Sequence, residues 1–292
     1  MRLMIKKLSY TIYLLLKIIN LVLEKFFNRN ILVWVRSYIE KDAYKKVKLK
    51  SGKYLIFFVP NYLIDLLVRD FYKKEPETIQ WIDNFKKEEK IIFWDIGSNI
   101  GLYSIYAATN IENIEVISFE PSASNLRILS RNISINHLEN KIKIFQIPLG
   151  IHKNNFLKFN EGKFIEGESN NSIDKNIDFE GKEMKPDNKY QIFSTNIDQI
   201  IYDQILDVPD YIKIDVDGVE HLILEGGIKL FKNPKILEIQ IEINENYVDQ
   251  YNNVLKIMDE CSFNFKEKKR NDLSGYYKAK KLSKIYNYYF TR

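Results

Sequence analysis

Four acidic side chains close runs of strand-like sequence: Asp95 after Ile91–Trp94, Glu120 after Glu115–Phe119, Asp215 after Tyr211–Ile214, and Glu242 near the end of Ile236–Ile243. Ligands of open α/β sheets bind outside the carboxyl ends of the strands, so acids placed there converge on one crevice. Carboxylates in such a crevice can accept bonds from hydroxyl groups, act as a general base, ligate a hard cation, or simply cap the helices that follow. Any one of the four could be a cap; four together point to a site.

Two loops carry most of the chemistry. In Phe93-Trp94-Asp95-Ile96-Gly97-Ser98-Asn99-Ile100-Gly101 an acid ends a strand and two glycines precede a helix. Glycine lets backbone approach a ligand closely, and a helix N-terminus adds oriented N–H groups. The dinucleotide pattern G-x-G-x-x-G is absent, because no glycine lies between Gly97 and Gly101. Glu120 stands where an acid can accept bonds from ribose hydroxyls. In the second run, Tyr211 to Glu220, a strand leads into a Gly218 turn with Asp215, Asp217, Glu220 and His221 crowding its mouth. A general base, an oxygen-ligand metal site and helix capping all remain open for these acids, while His221 reads as a packing residue. Glu238, Gln240 and Glu242 alternate along one strand and therefore face one side of the sheet.

The elements that must position these residues alternate from Lys90 onward. Strands are expected at Ile91–Asp95, Glu115–Glu120, Ile142–Leu149, Tyr211–Asp215 and Ile236–Ile243. Helices are expected from Leu102, over Ser124–Asn136 and over Glu220–Phe231. Such alternation specifies βαβ units and a mainly parallel sheet. Before it, Tyr44–Pro60 reads as a β-hairpin turning at Ser51-Gly52, and residues 61–87 as helical, with a helix Ile79–Phe85 after Glu75-Pro76-Glu77-Thr78. Residues 151–196 form a polar insert, with short antiparallel strands and a lid over the substrate as the expectation. Ile285–Arg292 reads as a closing aromatic strand. The expected division is an extension over residues 1–60 and a catalytic domain over 61–292.

Composition adds limits. Hydrophobic residues make 45% and charged residues 28% of the 292, enough to build a core and to exclude wholesale disorder. Cys261 is the only cysteine, so no intramolecular disulfide can form and a reducing, intracellular setting is expected. Residues 1–53 carry 13 Lys/Arg against 3 Asp/Glu and residues 262–292 carry 9 against 2, which leaves an acidic middle. Basic ends could meet an anionic membrane surface or polymer. Leu8–Phe27 is apolar, but Lys17, Asn20 and Glu24 form a one-sided polar stripe, so residues 1–29 read as an amphipathic helix. Peripheral membrane contact and packing against the domain or a second subunit both remain open for it. No small-residue cleavage site follows the apolar run.

On these residues the chain resembles the FkbM family of S-adenosylmethionine-dependent methyltransferases, from about Lys74 to the C-terminus. The resemblance rests on Glu75-Pro76-Glu77-Thr78, Trp94 to Ser104, Phe119-Glu120-Pro121, Asn125, Asn132, and Ile212 to Glu220. Ser98 stands where the family usually has Ala, and Asp217 where it often has Glu. The resemblance implies a class I methyltransferase (Rossmann-like), doubly wound α/β sheet with an N-terminal helical and β-hairpin extension. It implies S-adenosylmethionine held by Asp95, Gly97, Ser98, Asn99 and Gly101 around its methionine part, and by Glu120, with Pro121 and Asn125, around its ribose. It further implies methylation of a hydroxyl group, expected on a sugar of a glycan, polysaccharide or glycolipid, with Asp215, Asp217 and Glu242 catalytic and Asp215 the preferred base. Some sugar methyltransferases of related fold hold a divalent cation such as Mg2+ on acids after the fourth and fifth strands, here Asp215 and Glu242. The acceptor is expected to be a small molecule or glycan, the setting the cytoplasm at the inner membrane face, and homo-oligomers are allowed. Nucleic acid is disfavoured, because no basic, aromatic stripe lies beside the crevice. Two other readings stay open: an NAD-dependent sugar-modifying enzyme, and a non-catalytic membrane-associated binding protein that retains the fold.

Overall fold

The computed structural model describes residues 2–86, 89–169, 171–173, 180–183, 185–270 and 284–292. The chain forms two compact units, Met1–Lys45 and Lys46–Arg292. The boundary thus falls earlier than the expected division after residue 60, because the β-hairpin is bonded into the larger unit.

The first unit is a helical pair, α1 (Arg2–Phe27) and α2 (Ile31–Asp42). Its chain reversal is fixed by side chains of the polar stripe. Asn20 Oδ1 accepts from the N–H groups of Ile31 (2.8 Å) and Leu32 (3.4 Å), and Asn30 Oδ1 accepts from Val33 N–H at 3.2 Å. Asn30 Nδ2 in turn donates to Glu24 Oε1 at 2.7 Å. These bonds satisfy N–H groups that a helix start leaves without partners. Asn20 and Glu24 of the stripe are therefore occupied with the turn into α2. No helix among the described residues is long and apolar enough to cross a membrane.

The second unit opens with a ribbon of β1 (Tyr44–Lys48) and β2 (Tyr54–Phe58), of which β1 begins across the boundary. Three helices follow: α3 (Tyr62–Arg69), α4 (Phe71–Lys74) and α5 (Pro76–Asp83). Pro76 occupies the first turn of α5, where its missing N–H does no harm, so this helix starts earlier than Ile79. The α/β core then runs β3 (Ile91–Ile96), α6 (Leu102–Asn110), β4 (Ile114–Phe119), α7 (Ala123–Ile135) and β5 (Ile142–Phe145). Strand β5 stops short of the expected Leu149, and Pro148, which has no N–H to donate, lies just beyond it. The insert folds as an antiparallel sheet in the order β7-β6-β8, from β6 (Asn155–Glu161), β7 (Asn171–Ile173) and β8 (Asn188–Ser194). After α8 (Ile197–Tyr202) come β9 (Tyr211–Ile214), α9 (Glu220–Glu225) and α10 (Ile228–Phe231). The single helix expected over Glu220–Phe231 breaks at Gly226-Gly227, where a Cβ on Gly226 would stand 2.1 Å from the Gly150 carbonyl oxygen. The chain ends with β10 (Glu238–Asn244), α11 (Val248–Glu260), β11 (Asn264–Lys269) and β12 (Ile285–Thr291).

The main sheet has seven strands in the order β11-β12-β10-β9-β3-β4-β5. Strands β10, β9, β3, β4 and β5 are parallel, and β12 pairs antiparallel with both β10 and β11. This is the class I methyltransferase arrangement. From β3 the chain winds outward through β4 and β5 and then returns to β9 on the other side of β3. The carboxyl ends of β3 and β9 are therefore the point where the winding reverses and a crevice must open. One face of the sheet is apolar, with Ile92, Trp94, Ile96, Ile212, Ile214, Ile239 and Ile241 packed against Leu224, Phe231, Val254 and Met258. The opposite face carries an aromatic cluster of Trp81, Phe85, Phe93, Tyr211 and Tyr289 and, nearer the crevice, a polar row. In that row the register aligns Ser118, Asp95, Lys213, Gln240 and Tyr289 on neighbouring strands.

Candidate active site

Beyond β3 the chain takes left-handed conformations at Gly97 (φ 86°), Asn99 (φ 51°) and Gly101 (φ 85°) before α6 begins. The N–H groups of Gly97 and Ser98 both donate to the Phe119 carbonyl at 3.0 Å, which ties the loop to β4. A Cβ on Gly97 would lie 1.8 Å from the Asp215 carbonyl oxygen, so the backbones after β3 and β9 touch here. Only glycine fits such a contact at such a φ.

Glu120 sits under this loop. Its Oε2 accepts from Asn99 N–H at 2.9 Å and its Oε1 from Ser122 N–H at 2.8 Å. Burial nevertheless pushes its carboxyl up to about 7. Asn99 Nδ2 donates to the Gly167 carbonyl at 3.2 Å, and Asn125 both accepts from Gly167 N–H (2.8 Å) and donates to the Glu168 carbonyl (3.0 Å). The insert thus rests on the glycine loop and on α7 through its main chain. Asn99 Oδ1 is buried with no hydrogen-bond partner among the described residues.

Above the loop lies a cavity of about 360 Å³, within the range of small-ligand sites. Gly97, Ser98, Asn99, Glu120, Pro121, Asn125, Asp215, Asp217 and Glu242 all line it. Two of the expected cofactor residues do not. Gly101 caps α6, and a Cβ there would meet Leu129 Cδ1 at 2.5 Å. Asp95 is fully buried beneath the wall, where its Oδ2 accepts from Ser104 Oγ at 2.6 Å, and Ser118 Oγ donates to Ser104 Oγ at 2.7 Å. Asp95 supports the loop from below, on the sheet face it shares with Lys213 and Gln240. Burial raises its pKa, against the opposing pull of Lys213.

Asp215, the first acid after β9, is held by Lys213, which is 1% exposed. Its Nζ donates to Asp215 Oδ2 at 2.7 Å, and the Tyr103 ring lies 5.1 Å away. Burial opposes charge on Lys213, but Asp215, Glu75 and Asp95 more than offset it and keep the ammonium charged. Burial likewise acts on Asp215, yet Lys213 and Lys74 hold its carboxyl below the usual range. Asp217 and Glu242 behave oppositely. Burial, then the charges of Asp215 and Glu220, raise Asp217 well above an ordinary carboxylate. Burial, then Asp215, Glu75 and Asp217, do the same to Glu242. Glu220, which burial pushes up to about 7, points back at the turn and accepts from Val216 N–H (3.0 Å) and Gly218 N–H (3.1 Å). It shapes the Asp217 turn rather than serving a ligand. His221 packs edge-on against Tyr247, in the packing role expected of it.

The alternating strand β10 distributes its polar groups along one face. Glu238 accepts from Trp81 Nε1 at 2.9 Å, Gln240 donates to Thr78 Oγ1 at 2.8 Å, and Glu242 reaches the cavity. Thr78 itself donates to Glu75 Oε2 at 3.1 Å, so the Glu75–Thr78 motif braces the sheet face beside Lys213. Sequence reasoning gave Lys213 no role, and it did not single out Ser169, Asn171 and Ser172 of the insert, which line the cavity with Asp217 and Glu242. A lysine between two isoleucines in a strand was the available signal for the first. The divalent-cation expectation finds no support. The ammonium of Lys213 occupies Asp215 Oδ2, and no group of three or more His, Cys, Asp or Glu among the described residues is arranged to hold a metal.

Comparisons with known proteins bear on the same residues. The family model described as the methyltransferase FkbM domain matches residues 95–265. Methyltransferase sdnD of Sordaria araneosa is 25% identical over 187 residues, which is 56% of this chain and 71% of that protein. The crystal structure of methyltransferase FkbM from Methylobacillus flagellatus KT aligns over 70% of this chain and 44% of its own, at 15% identity and a TM-score of 0.46. A Streptococcus mutans structure described as a SAM-dependent methyltransferase aligns over 86% of this chain and 56% of its own, at 10% identity and a TM-score of 0.50. The chain spans roughly half the length of these two solved structures, and with the second it shares the fold.

Proposed function

The chain belongs to the FkbM methyltransferase family, and from that premise we propose that it methylates a sugar hydroxyl of a glycan, polysaccharide or glycolipid with S-adenosylmethionine as donor. The cofactor's groups match the residues present: Glu120 suits the ribose hydroxyls, and the buried, unpartnered Asn99 Oδ1 suits the ammonium of the methionine part. When bound, S-adenosylmethionine supplies a methyl group on a sulfonium centre and leaves as S-adenosylhomocysteine.

The observation that carries the acceptor class is the polar lining that the insert gives the cavity. Ser169, which bonds to Asp217, and Asn171 and Ser172 of β7 all contribute to it, and the two lysines in it are each paired with a carboxylate, Lys213 with Asp215 and Lys74 with Glu75. Hydroxyl, amide and carboxylate groups bond well to neutral hydroxyls and repel phosphate or carboxylate acceptors. Methyl transfer to oxygen needs the hydroxyl aligned and its proton removed. Asp215 is poorly suited to take that proton, because Lys213 stabilises it as the anion. Glu242, at the end of β10 and with raised proton affinity, is assigned as the base, and Asp217 as a hydrogen-bond partner of the acceptor.

The test is S-adenosylhomocysteine release by the full chain over a panel of mono- and oligosaccharides. Sugar-dependent turnover is expected, with Glu242→Gln lowering kcat by about 10² to 10⁴ while cofactor affinity holds. Turnover confined to RNA, amines or thiols would overturn the acceptor assignment.

A further inference from the structure

The helical pair α1–α2 has an apolar surface that its own packing does not cover. Along α1, Met4, Leu8, Ile12, Leu15, Ile19, Val22 and Phe26 recur at spacings of three and four, so they form one row along the helix. Every one of them is exposed, from 47% at Ile19 to 69% at Phe26. On α2, Val33, Trp34, Tyr38 and Ile39 are each at least 59% exposed, and α2 buries no residue at all. Exposed apolar surface of this extent marks an interaction site.

Charge decides which partner fits. Residues 1–45 carry nine Lys/Arg against three Asp/Glu. Lys7 and Lys25 are eighteen residues apart, about five turns, and so share one azimuth at the border of the apolar row; Lys6 and Lys17 lie on the opposite side. A second copy would bring the same positive charge against itself. An anionic bilayer surface offers apolar depth to the row and negative headgroups to the lysines at its border, whose long stems can reach out to them. Crossing the bilayer is not open to α1, because Asn20 and Glu24 are committed to the turn into α2. We propose that the α1–α2 pair lies flat on an anionic lipid surface, with the row Met4 to Phe26 at the level of the acyl chains. This proposal is independent of the acceptor assignment.

The experiment is co-sedimentation of the full chain with phosphatidylcholine vesicles, with and without roughly a third phosphatidylglycerol. Binding is expected only with the anionic lipid, weakening as salt rises, with each neutralised lysine such as Lys7→Ala lowering partition about fivefold. Leu8→Glu/Leu15→Glu should abolish pelleting while leaving the cofactor-induced rise in Tm unchanged, which shows that the larger unit is intact. Equal binding to both vesicle types, or binding indifferent to either set of variants, would overturn the proposal. So would a stable dimer by light scattering that dissociates in the Leu8/Leu15 variant and never pellets with vesicles.

Discussion

Two glycines with nearly the same backbone but different surroundings allow the closeness of β3 and β9 to be measured. Gly97 has φ 86° and a Cβ added to it would meet Asp215 O at 1.8 Å, Asp215 C at 2.8 Å and Val216 Cγ1 at 3.1 Å. Gly52, in the turn between β1 and β2, has φ 85° and nothing within 4 Å. Alanine at either position carries the left-handed penalty of about 1–2 kcal/mol. At Gly97 the clash is with main chain, which cannot rotate away, so one of the two strand ends must move by about 1 Å and a further 1–3 kcal/mol or more is expected. Gly97→Ala should therefore lower stability by about 2–5 kcal/mol, and Gly52→Ala by about 1–2 kcal/mol. At about 2–4 °C per kcal/mol for a unit of this size, the difference should be readable in a thermal scan. Gly97→Ala should also lose the Tm rise caused by S-adenosylhomocysteine, which Gly52→Ala should keep. If the two variants melt together and both respond to the ligand, the close approach of the two strand ends is wrong, and with it the account of why the crevice opens there.

Burial raises the Glu120 carboxyl from 4.5 to about 7, and its ionised form is the one that accepts from ribose hydroxyls. Affinity for S-adenosylhomocysteine should tighten as pH rises from about 6 to 8 and then level off, and a calorimetric titration of Glu120→Gln should lose that slope. Without ligand the sign reverses: between about 4.5 and 7 the folded protein keeps a proton that the unfolded chain releases, so this group's contribution to stability falls as pH rises. Lys213→Met removes the buried cation shared by Asp215, Asp95 and Glu75, and a loss of about 3–5 kcal/mol in urea unfolding is expected. Adding Asp215→Asn should restore part of it, and a fully additive double variant would contradict the pairing. Dialysis against a chelator should leave methyl transfer unchanged, given the ammonium on Asp215; activity that is lost and then rescued by Mg2+ would show that the acids rearrange.

The strands that carry the crevice were legible because they are central and parallel, and so read as nearly unbroken apolar runs, as in Ile91–Ile96 and Tyr211–Ile214. Their terminal acids and the glycine turn were legible too, since φ and close approach restrict residue type locally. What failed depended on register. Asp95 ends its strand as a ligand contact would, but it is fully buried beside Lys213 in register, with Ser104 of α6 packed over it. Lys213 looks like an outward-facing polar residue until β9 is set between β3 and β10. Helix α11 was not anticipated, because Asp249, Asn252 and Asn253 dilute its apolar stripe. The edge strand β11 escaped notice through its lysines, which are the usual protection of an exposed sheet edge. Asn20 was read by its azimuth alone, which cannot show that a second helix begins against it.

The contact between the insert and the glycine loop is written in main-chain atoms on the insert's side: the N–H and carbonyl of Gly167 and the carbonyl of Glu168 meet the side chains of Asn99 and Asn125. Two side chains of the insert add to this latch, since Glu161 accepts from Ser122 Oγ at 2.8 Å and Glu166 from Arg127 at 2.9 Å, and position 167 must stay glycine, where φ is 88° and a Cβ would press on Ile64 at 2.9 Å. Acceptor preference can be rewritten by exchanging the insert's cavity-facing side chains around that fixed latch, so a graft that keeps Gly167, Glu161 and Glu166 together with their partners should inherit the donor's acceptor without relearning how to hold the cofactor.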